Sequence, residues 1–531
     1  MTTLSFDRDA LSSPLPAAVS DHLRTSGFEQ PEDTWRMLGQ IDARLAPLGA
    51  GARQGEGAPE HLMPALVEAA GSSLQPDRAL ISLHTLITRS DDEKIPALMD
   101  LLAVPSASRD ALLTILSASP YLTTTLVQDV GFLLGTFAGD AWRTLQPAEE
   151  LDAVLTGMLD GASTPDEAMK PLRTFKQQAY LRIAVCDLMR QSGTPAVLER
   201  LTDVADLCLQ AAHDVCGAKL QARHGRPMLE ESKPSGFAVI GMGKLGGRDL
   251  NFSSDIDLLY VYDVTNGRTE KDGTSTYEYY PKLARTITDL ISRLTPDGQV
   301  FRVDLRLRPE GRAGDIANSI EGYRWHYEIQ GQAWQRQALL KARHSAGSRE
   351  VGERFLDTIQ PFVFYPALDQ PLILEDINHM RERIAKALIE RGSGDYHVKL
   401  GKGGIREIEF IAQGFQLVYG GFQGWPWERG TRRMLAALEE KGYLSDEEAS
   451  DLDEAYLFLR DLENRIQMTS GHQTHEIPRE HGAQAVLAGM MGLSGPTPRE
   501  RQAGPGRMLE AYGKHTARVH QIYDRVFHSA M

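Results

Sequence analysis

Three aspartates, Asp255, Asp257 and Asp304, have the type and spacing to support metal-assisted chemistry. Asp255 and Asp257 stand two apart in Asp255-Ile-Asp-Leu-Leu-Tyr-Val-Tyr262, which reads as a strand, so both side chains leave one face. Asp304 lies in the alternating run Gln299-Val-Phe-Arg-Val-Asp-Leu-Arg-Leu-Arg308. One face of that run holds Arg302, Asp304, Arg306 and Arg308; the other holds Phe301, Val303, Leu305 and Leu307. If the two runs are neighbouring strands, three carboxylates converge, and they repel one another unless a hard cation neutralises them. Magnesium, which takes oxygen ligands and shares them with substrate phosphates, suits such a set. A two-ion site of this kind clamps attacking and leaving oxygens at a metal separation of roughly 3.5–4 Å. The arginines alongside suit phosphate through bidentate bonds.

Upstream lies Gly241-Met-Gly-Lys-Leu-Gly-Gly247, after the apolar run Phe237-Ala-Val-Ile240. A glycine turn after a strand can cradle a phosphate with its backbone N–H groups. The turn also matches G-x-G-x-x-G, with Asp263 at the offset of a dinucleotide fingerprint. That match is a decoy. Only Gly247-Arg-Asp-Leu-Asn-Phe-Ser-Ser254 separates it from the next strand, too little for a crossover helix. The Gly-Lys-Ser/Thr ending of a P-loop is missing too.

The elements that must position these groups form one small α/β insert in a helical chain. Strands are expected at 237–240, 255–262 and 299–308, with a helix at about 275–294. Helical spacing covers about 61–232 and resumes from about 316 to the end. The stretch Leu45-Ala-Pro-Leu-Gly-Ala-Gly-Ala-Arg53 reads as a loop between early helices. After Thr194-Pro195, residues Leu201, Val204, Ala205, Cys208, Ala211, Ala212 and Val215 make one helical stripe, so Cys208 reads as core. Three blocks follow: a helical region 1–232, a catalytic domain 233–345 and a helical bundle 346–531, with no internal repeat of the central motif.

The 531 residues carry 57 basic and 72 acidic side chains, 57 − 72 = −15. That charge argues against nucleic-acid and membrane-surface partners but leaves room for a local basic site. Three cysteines exclude a disulfide scaffold or a cysteine zinc module. With no signal-like start and no long apolar run, the expected location is cytoplasmic.

The order strand, Gly-x-Gly, Ser-Asp-x-Asp, helix, strand-Asp is similar to the nucleotidyltransferase superfold related to DNA polymerase β. The wording also resembles the bifunctional glutamine synthetase adenylyltransferase/adenylyl-removing enzyme family. The motifs that carry this are Gly241–Gly247 with Leu250-Asn-Phe-Ser-Ser-Asp-Ile-Asp-Leu258, Val303-Asp-Leu-Arg-Leu-Arg-Pro309, Gln330–Arg343, and Lys399-Leu-Gly-Lys-Gly-Gly-Ile-Arg-Glu-Ile-Glu-Phe410. The resemblance implies an α+β, mostly α fold, with a polymerase β-like nucleotidyltransferase domain flanked by helical domains. Asp255, Asp257 and Asp304 would hold magnesium or manganese. Gly241, Gly243, Lys244, Gly246, Gly247, Ser254, Arg306 and Arg308 would bind the phosphates of phosphate and ADP, or of ATP. The family carries two such halves, one removing AMP from a tyrosine of glutamine synthetase by phosphorolysis and one attaching it from ATP. This chain has one half, and Leu250–Asp257, Lys399–Phe410 and Ala455–Asn464 look more like the removing one. The implied partners are glutamine synthetase, the PII signalling protein and a second enzyme half on the same or another chain. The opposite activity and a non-catalytic binding module are the rival readings.

Other groups stay open. Gly401, Gly403 and Gly404 with Lys399, Lys402 and Arg406 form either a phosphate cradle at a helix start or a plain helix start. Trp334, Arg336, Lys341 and Arg343 could line a nucleotide pocket, although Trp334 reads equally as core. His472, His475 and Glu476 read as surface.

Overall fold

An unbroken apolar hexapeptide is the composition of a strand covered on both faces. In the computed structural model Phe237–Met242 forms such a strand, with every residue buried. The structure describes residues 11, 13–49, 59–137, 139, 141–229, 233–364, 396–422, 424–495 and 497–528. The described chain is mostly helical. Its strands are β1 (Pro227–Met228), β2 (Phe237–Met242), β3 (Ile256–Tyr262), β4 (Arg268–Thr269), β5 (Val303–Asp304), β6 (Ala317–Ser319) and β7 (Arg343–Gly347). β1 and β4 pair with each other.

The other five make one sheet in the order β5-β3-β2-β7, with β6 also on β3. β2 runs antiparallel to β3 and β7, whereas β5 and β6 run parallel to β3. Antiparallel neighbours need no crossover, which excludes a dinucleotide βαβ unit and accounts for the short link 247–254. Asp263 has a structural duty: it accepts a hydrogen bond from the Gly236 N–H and pairs with Arg354.

Three sequence expectations need correction. The strand expected over 299–308 is only Val303–Asp304. It stops because the Asp304 carboxylate accepts the Arg306 backbone N–H at 2.8 Å, an Asx turn that bends the chain away. Within the region read as helical, Ala317–Ser319 and Arg343–Gly347 are strands instead. Residues 45–49 belong to the helix Pro31–Gly49, which carries Pro47 inside it; residues 50–53 lie outside the described residues.

The helix expected near 275–294 spans Thr276–Ser292, and its Ser275 cap accepts the Glu278 N–H. It presents Leu283, Ala284, Ile287, Leu290 and Ile291 to the interior. The long helix Thr194–His224 buries Leu201, Val204, Ala205, Cys208 and Ala212. Burial pushes the Cys208 thiol up to about 12, so it is an inert core residue.

Packing divides the chain into two units that do not follow the three consecutive blocks, because the chain leaves and re-enters each. One unit comprises 1–145, 180–193 and 461–512; the other comprises 146–179, 194–460 and 513–531. The described part of the first is helical and holds a buried ionic cluster. Arg465 there bonds Asp187 at 2.6 and 2.9 Å and Asp461 at 2.7 Å, with Arg190 on Asp461 at 2.7 Å. The second unit contains the sheet and all the candidate site residues. Among the described residues no single helix is long and apolar enough to cross a membrane.

Candidate functional site

The register of β3 against β5 sets the site. Ile256 pairs with Val303 and Asp257 with Asp304, so the last two carboxylates are direct lateral neighbours. Asp255, two residues before Asp257, leaves the same side of the strand. The sheet therefore brings all three predicted aspartates to one end of β3.

Their environments differ. Asp257 is pushed up to about 6, first by burial and then by the negative charges of Asp304 and Asp255. Burial also works against a charged Asp304, but Arg306 outweighs it and holds that carboxyl below its usual range. Arg306 Nε lies 3.0 and 2.8 Å from the two Asp304 oxygens. Asp255 pairs with Arg302, which also donates to the Ser253 carbonyl.

Among the described residues no three His, Cys, Asp or Glu side chains stand in ready ligating geometry. Two of the three aspartates, Asp255 and Asp304, carry arginine partners instead. The donors themselves fit a hard divalent cation. All are carboxylate oxygens, one is half-buried with no arginine bonded to it among the described residues, and their mutual repulsion is what a cation would relieve.

The glycine turn packs against this end of the sheet. Gly241 and Met242 are ladder residues of β2, opposite Leu258 and Asp257. Gly243–Gly246 makes a single helical turn. Gly243 has φ +52, and a Cβ there would stand 2.6 Å from Asp257 Oδ2. At Gly246 a Cβ would stand 1.8 Å from the Lys341 carbonyl oxygen. Gly247 follows, with its N–H on the Gly243 carbonyl. These glycines thus bring backbone up to Asp257 and to the start of β7.

The remaining predicted contacts are tied into the fold. Lys244 Nζ donates to Asn251 Oδ1 at 2.6 Å, and Ser254 Oγ accepts the Asn251 N–H at 3.2 Å, bracing the 251–254 turn. Arg308 donates to three carbonyls, Leu305, Arg312 and Gly314, and so braces the loop after β5. Arg306 is the arginine that stays at the carboxylates, with its side chain 65% exposed.

The further candidates divide similarly. Lys341 bonds buried Glu409 at 2.7 Å, and Arg343 bonds Asp206 at 2.9 Å and the Leu245 carbonyl at 3.0 Å. Arg336 donates to the Val363 carbonyl, and Trp334 is 41% exposed, so the core reading of Trp334 fails. His475, read as surface, is mostly buried against Glu463 at 2.6 Å, while His472 is exposed.

Sequence reading missed the supports of the turn. Asp206 sits between Arg343 and Arg248, and burial pushes it up to about 6 despite those arginines. Arg460 donates to the Asp249 carbonyl. The only available signal was a charged residue inside an apolar helical stripe, which ordinarily marks a solvated edge.

Comparison with known proteins agrees with these motifs. Residues 109–358 match the family described as glutamate-ammonia ligase adenylyltransferase. Residues 374–527 match the one described as GlnD PII-uridylyltransferase. The bifunctional glutamine synthetase adenylyltransferase/adenylyl-removing enzyme of Thioalkalivibrio sulfidiphilus is 37% identical over 411 residues, covering 77% of this chain and 40% of that protein. The Brucella melitensis enzyme of the same name is 36% identical over 438 residues, 80% of this chain and 43% of that protein. The Pseudomonas aeruginosa one is 33% identical over 421 residues, 79% and 42%. This chain therefore spans about two fifths of the length of these relatives. Residues 109–358 thus belong with the glutamate-ammonia ligase adenylyltransferase family, and about four fifths of the chain is similar to these bifunctional enzymes.

Proposed function

We propose that this chain removes AMP from an adenylylated tyrosine of glutamine synthetase by phosphorolysis, on a polymerase β-like nucleotidyltransferase domain. The observation that carries the reading is the lateral pair Asp257 and Asp304 with Asp255 alongside, carboxylates gathered where a glycine turn meets the sheet. The relatives' names supply the protein substrate.

An oxygen of inorganic phosphate forms a bond to the α-phosphorus of the tyrosyl-AMP. The bond from that phosphorus to the tyrosine oxygen breaks, ADP leaves, and the phenolate takes up a proton. Asp255, Asp257 and Asp304 would hold magnesium or manganese, which when bound neutralises charge on the phosphoryl oxygens and eases departure of the phenolate. Arg306 and Arg302, which lie on Asp304 and Asp255, are the guanidiniums that would bind the phosphate oxygens, for which their planar geometry is suited. Gly243, without a Cβ, leaves the Asp257 carboxylate its present place beside the turn, because a Cβ there would stand 2.6 Å from Asp257 Oδ2. The match of residues 374–527 to a PII-uridylyltransferase family supports the PII protein as a regulatory partner of the C-terminal region.

The chain, mixed with adenylylated glutamine synthetase, phosphate and magnesium, is expected to release ADP and restore the free tyrosine. AMP transfer from ATP to unmodified glutamine synthetase, without ADP release, would assign the opposite activity. Binding without chemistry in either direction would make the chain a docking module.

A further inference from the structure

The glycine turn that meets Asp257 is held in place from outside. It is a single helical turn, Gly243–Gly246, and a turn that short gains too few bonds of its own to be stable alone. Backbone in the left-handed region stands at each end, with φ +52° at Gly243 and φ +58° at Arg248. For an arginine that conformation is unfavourable and persists only where surrounding contacts impose it. The glycine-rich start of the helix Ile405–Tyr419 is the contrasting case, because it closes on itself. There the Gly403 N–H donates to Glu407 Oε2 at 3.0 Å, and those of Gly404, Ile405 and Arg406 donate to the carbonyls of Gly401, Val398 and Lys399.

The contacts on the 243–250 segment come from the helix Thr194–His224. Its residues Glu199, Thr202, Asp203 and Asp206 recur at helical spacing and make one polar stripe. Arg248 donates to Glu199 at 3.1 Å and to Asp203, and the Leu250 N–H donates to Thr202 Oγ1 at 3.3 Å. Asp206 takes Arg343, whose Nη2 lies 3.0 and 2.9 Å from its two carboxylate oxygens. The same Nη2 donates to the Leu245 carbonyl at 3.0 Å. Arg343 stands opposite Gly241 in the β2–β7 ladder. The Leu245 side chain is buried against that glycine, where a Cβ would stand 2.9 Å from Leu245 Cγ. One guanidinium therefore ties the turn to the sheet and to the helix at once. Two residues before Leu245, Gly243 is the point at which this backbone meets the Asp257 carboxylate.

We propose that Arg343, seated on Asp206, is a positioning residue that sets the distance between the glycine turn and Asp257, and with it the geometry in which the carboxylates take a divalent cation. It acts through the turn and not on a reacting atom. A planar guanidinium can bond a carboxylate and a carbonyl together, which an ammonium on a flexible stem does less well. The inference rests on the proposed function for the cation and for the reaction that the cation serves.

The test titrates magnesium into the full chain and reads the rise in melting temperature and, separately, turnover of adenylylated glutamine synthetase. Arg343→Met is expected to raise the magnesium needed for half the melting shift about tenfold, the usual loss when a group that orients a metal ligand is removed. Turnover at the magnesium that saturates the wild type falls by a similar factor, while the KM for adenylylated glutamine synthetase holds. Arg343→Lys recovers part of the loss. A merely structural arginine gives another pattern: a lower melting temperature and less folded protein, with the wild-type magnesium requirement in the molecules that remain. That pattern overturns the inference. Where Arg343→Met does not fold, Asp206→Asn removes the charged seat and keeps its size. It is expected to raise the magnesium requirement in the same direction by less, and an unchanged requirement overturns the inference. A wild type that gives no magnesium response overturns it too, since no ligand geometry is then left to set. A wild type that releases no ADP, yet whose magnesium requirement rises in Arg343→Met, overturns phosphorolysis and leaves Arg343 a positioning residue.

Discussion

Asp257→Asn is expected to cut turnover about a thousandfold or more, ~4 kcal/mol of barrier, while making the metal-free protein more stable at neutral pH. The two effects share one cause. Asp257 is half-buried beside Asp304 and Asp255, and its carboxyl is pushed up to about 6. In the unfolded chain it returns to an ordinary value near 4. Below about pH 4 both states hold the proton, and the folded state is not penalised. Between about pH 4 and 6 the unfolded chain releases the proton while the folded chain keeps it, so stability falls as pH rises. Above about pH 6 the folded protein bears a half-buried anion beside two other carboxylates, at a cost on the order of 1–3 kcal/mol after screening by solvent. Asparagine carries no such charge. The melting temperatures of variant and wild type should therefore nearly coincide near pH 4 and diverge by pH 7, with the variant higher. Added magnesium should close that gap by raising the wild type alone, since a cation relieves the repulsion that asparagine removes. Turnover within tenfold of wild type would exclude Asp257 from the chemistry. A variant that melts lower at neutral pH would contradict the electrostatic account of the site.

The carboxylates were legible in the sequence because a strand's two-residue period puts Asp255 and Asp257 on one face whatever surrounds them. Strands β2 and β3 were legible for a related reason: their apolar runs can be satisfied only by burial on both faces. The run ending in Arg308 misled because alternation persists past the point where the Asp304 side chain captures the Arg306 N–H and ends the strand. β7 was not legible. Arg343-His-Ser-Ala-Gly347 has neither alternation nor an apolar run, and only its pairing with β2 makes it a strand. The supports of the site were hidden by the same dependence on distant partners. Glu409 and Arg460 look like the polar face of helices, but they lie buried against Lys341 and Asp249. Arg308 shows the converse. An arginine in an alternating face looks available for phosphate, yet the turn folds three carbonyls around it.

Gly243→Ala and Gly246→Ala are expected to fail differently, although they sit three residues apart in one turn. At Gly246 the added methyl carbon would lie 1.8 Å from the Lys341 carbonyl oxygen and 2.6 Å from that of Gly241. Both obstacles are backbone atoms, one in β2 and one in the turn just before β7, so no rotamer relieves the overlap. The turn must lift away from β2 and β7, at about 1–3 kcal/mol or more for overpacking a filled site. Gly246→Ala should therefore lower the melting temperature by several degrees and reduce the yield of folded protein, with activity falling in proportion. At Gly243 the obstacle is Asp257 Oδ2, 2.6 Å away, and the backbone has φ +52, which costs an alanine roughly 1–2 kcal/mol. A carboxylate can rotate where a strand cannot, so the fold should survive. What moves is the group that would hold the cation, and a misplacement of about 1 Å costs about a hundredfold in rate. Gly243→Ala should thus melt close to wild type, turn over about a hundredfold more slowly and need more magnesium for half-maximal activity. The reverse pattern, with Gly246→Ala stable and Gly243→Ala fully active at wild-type magnesium, would mean that the turn is spaced for some purpose other than the approach to Asp257.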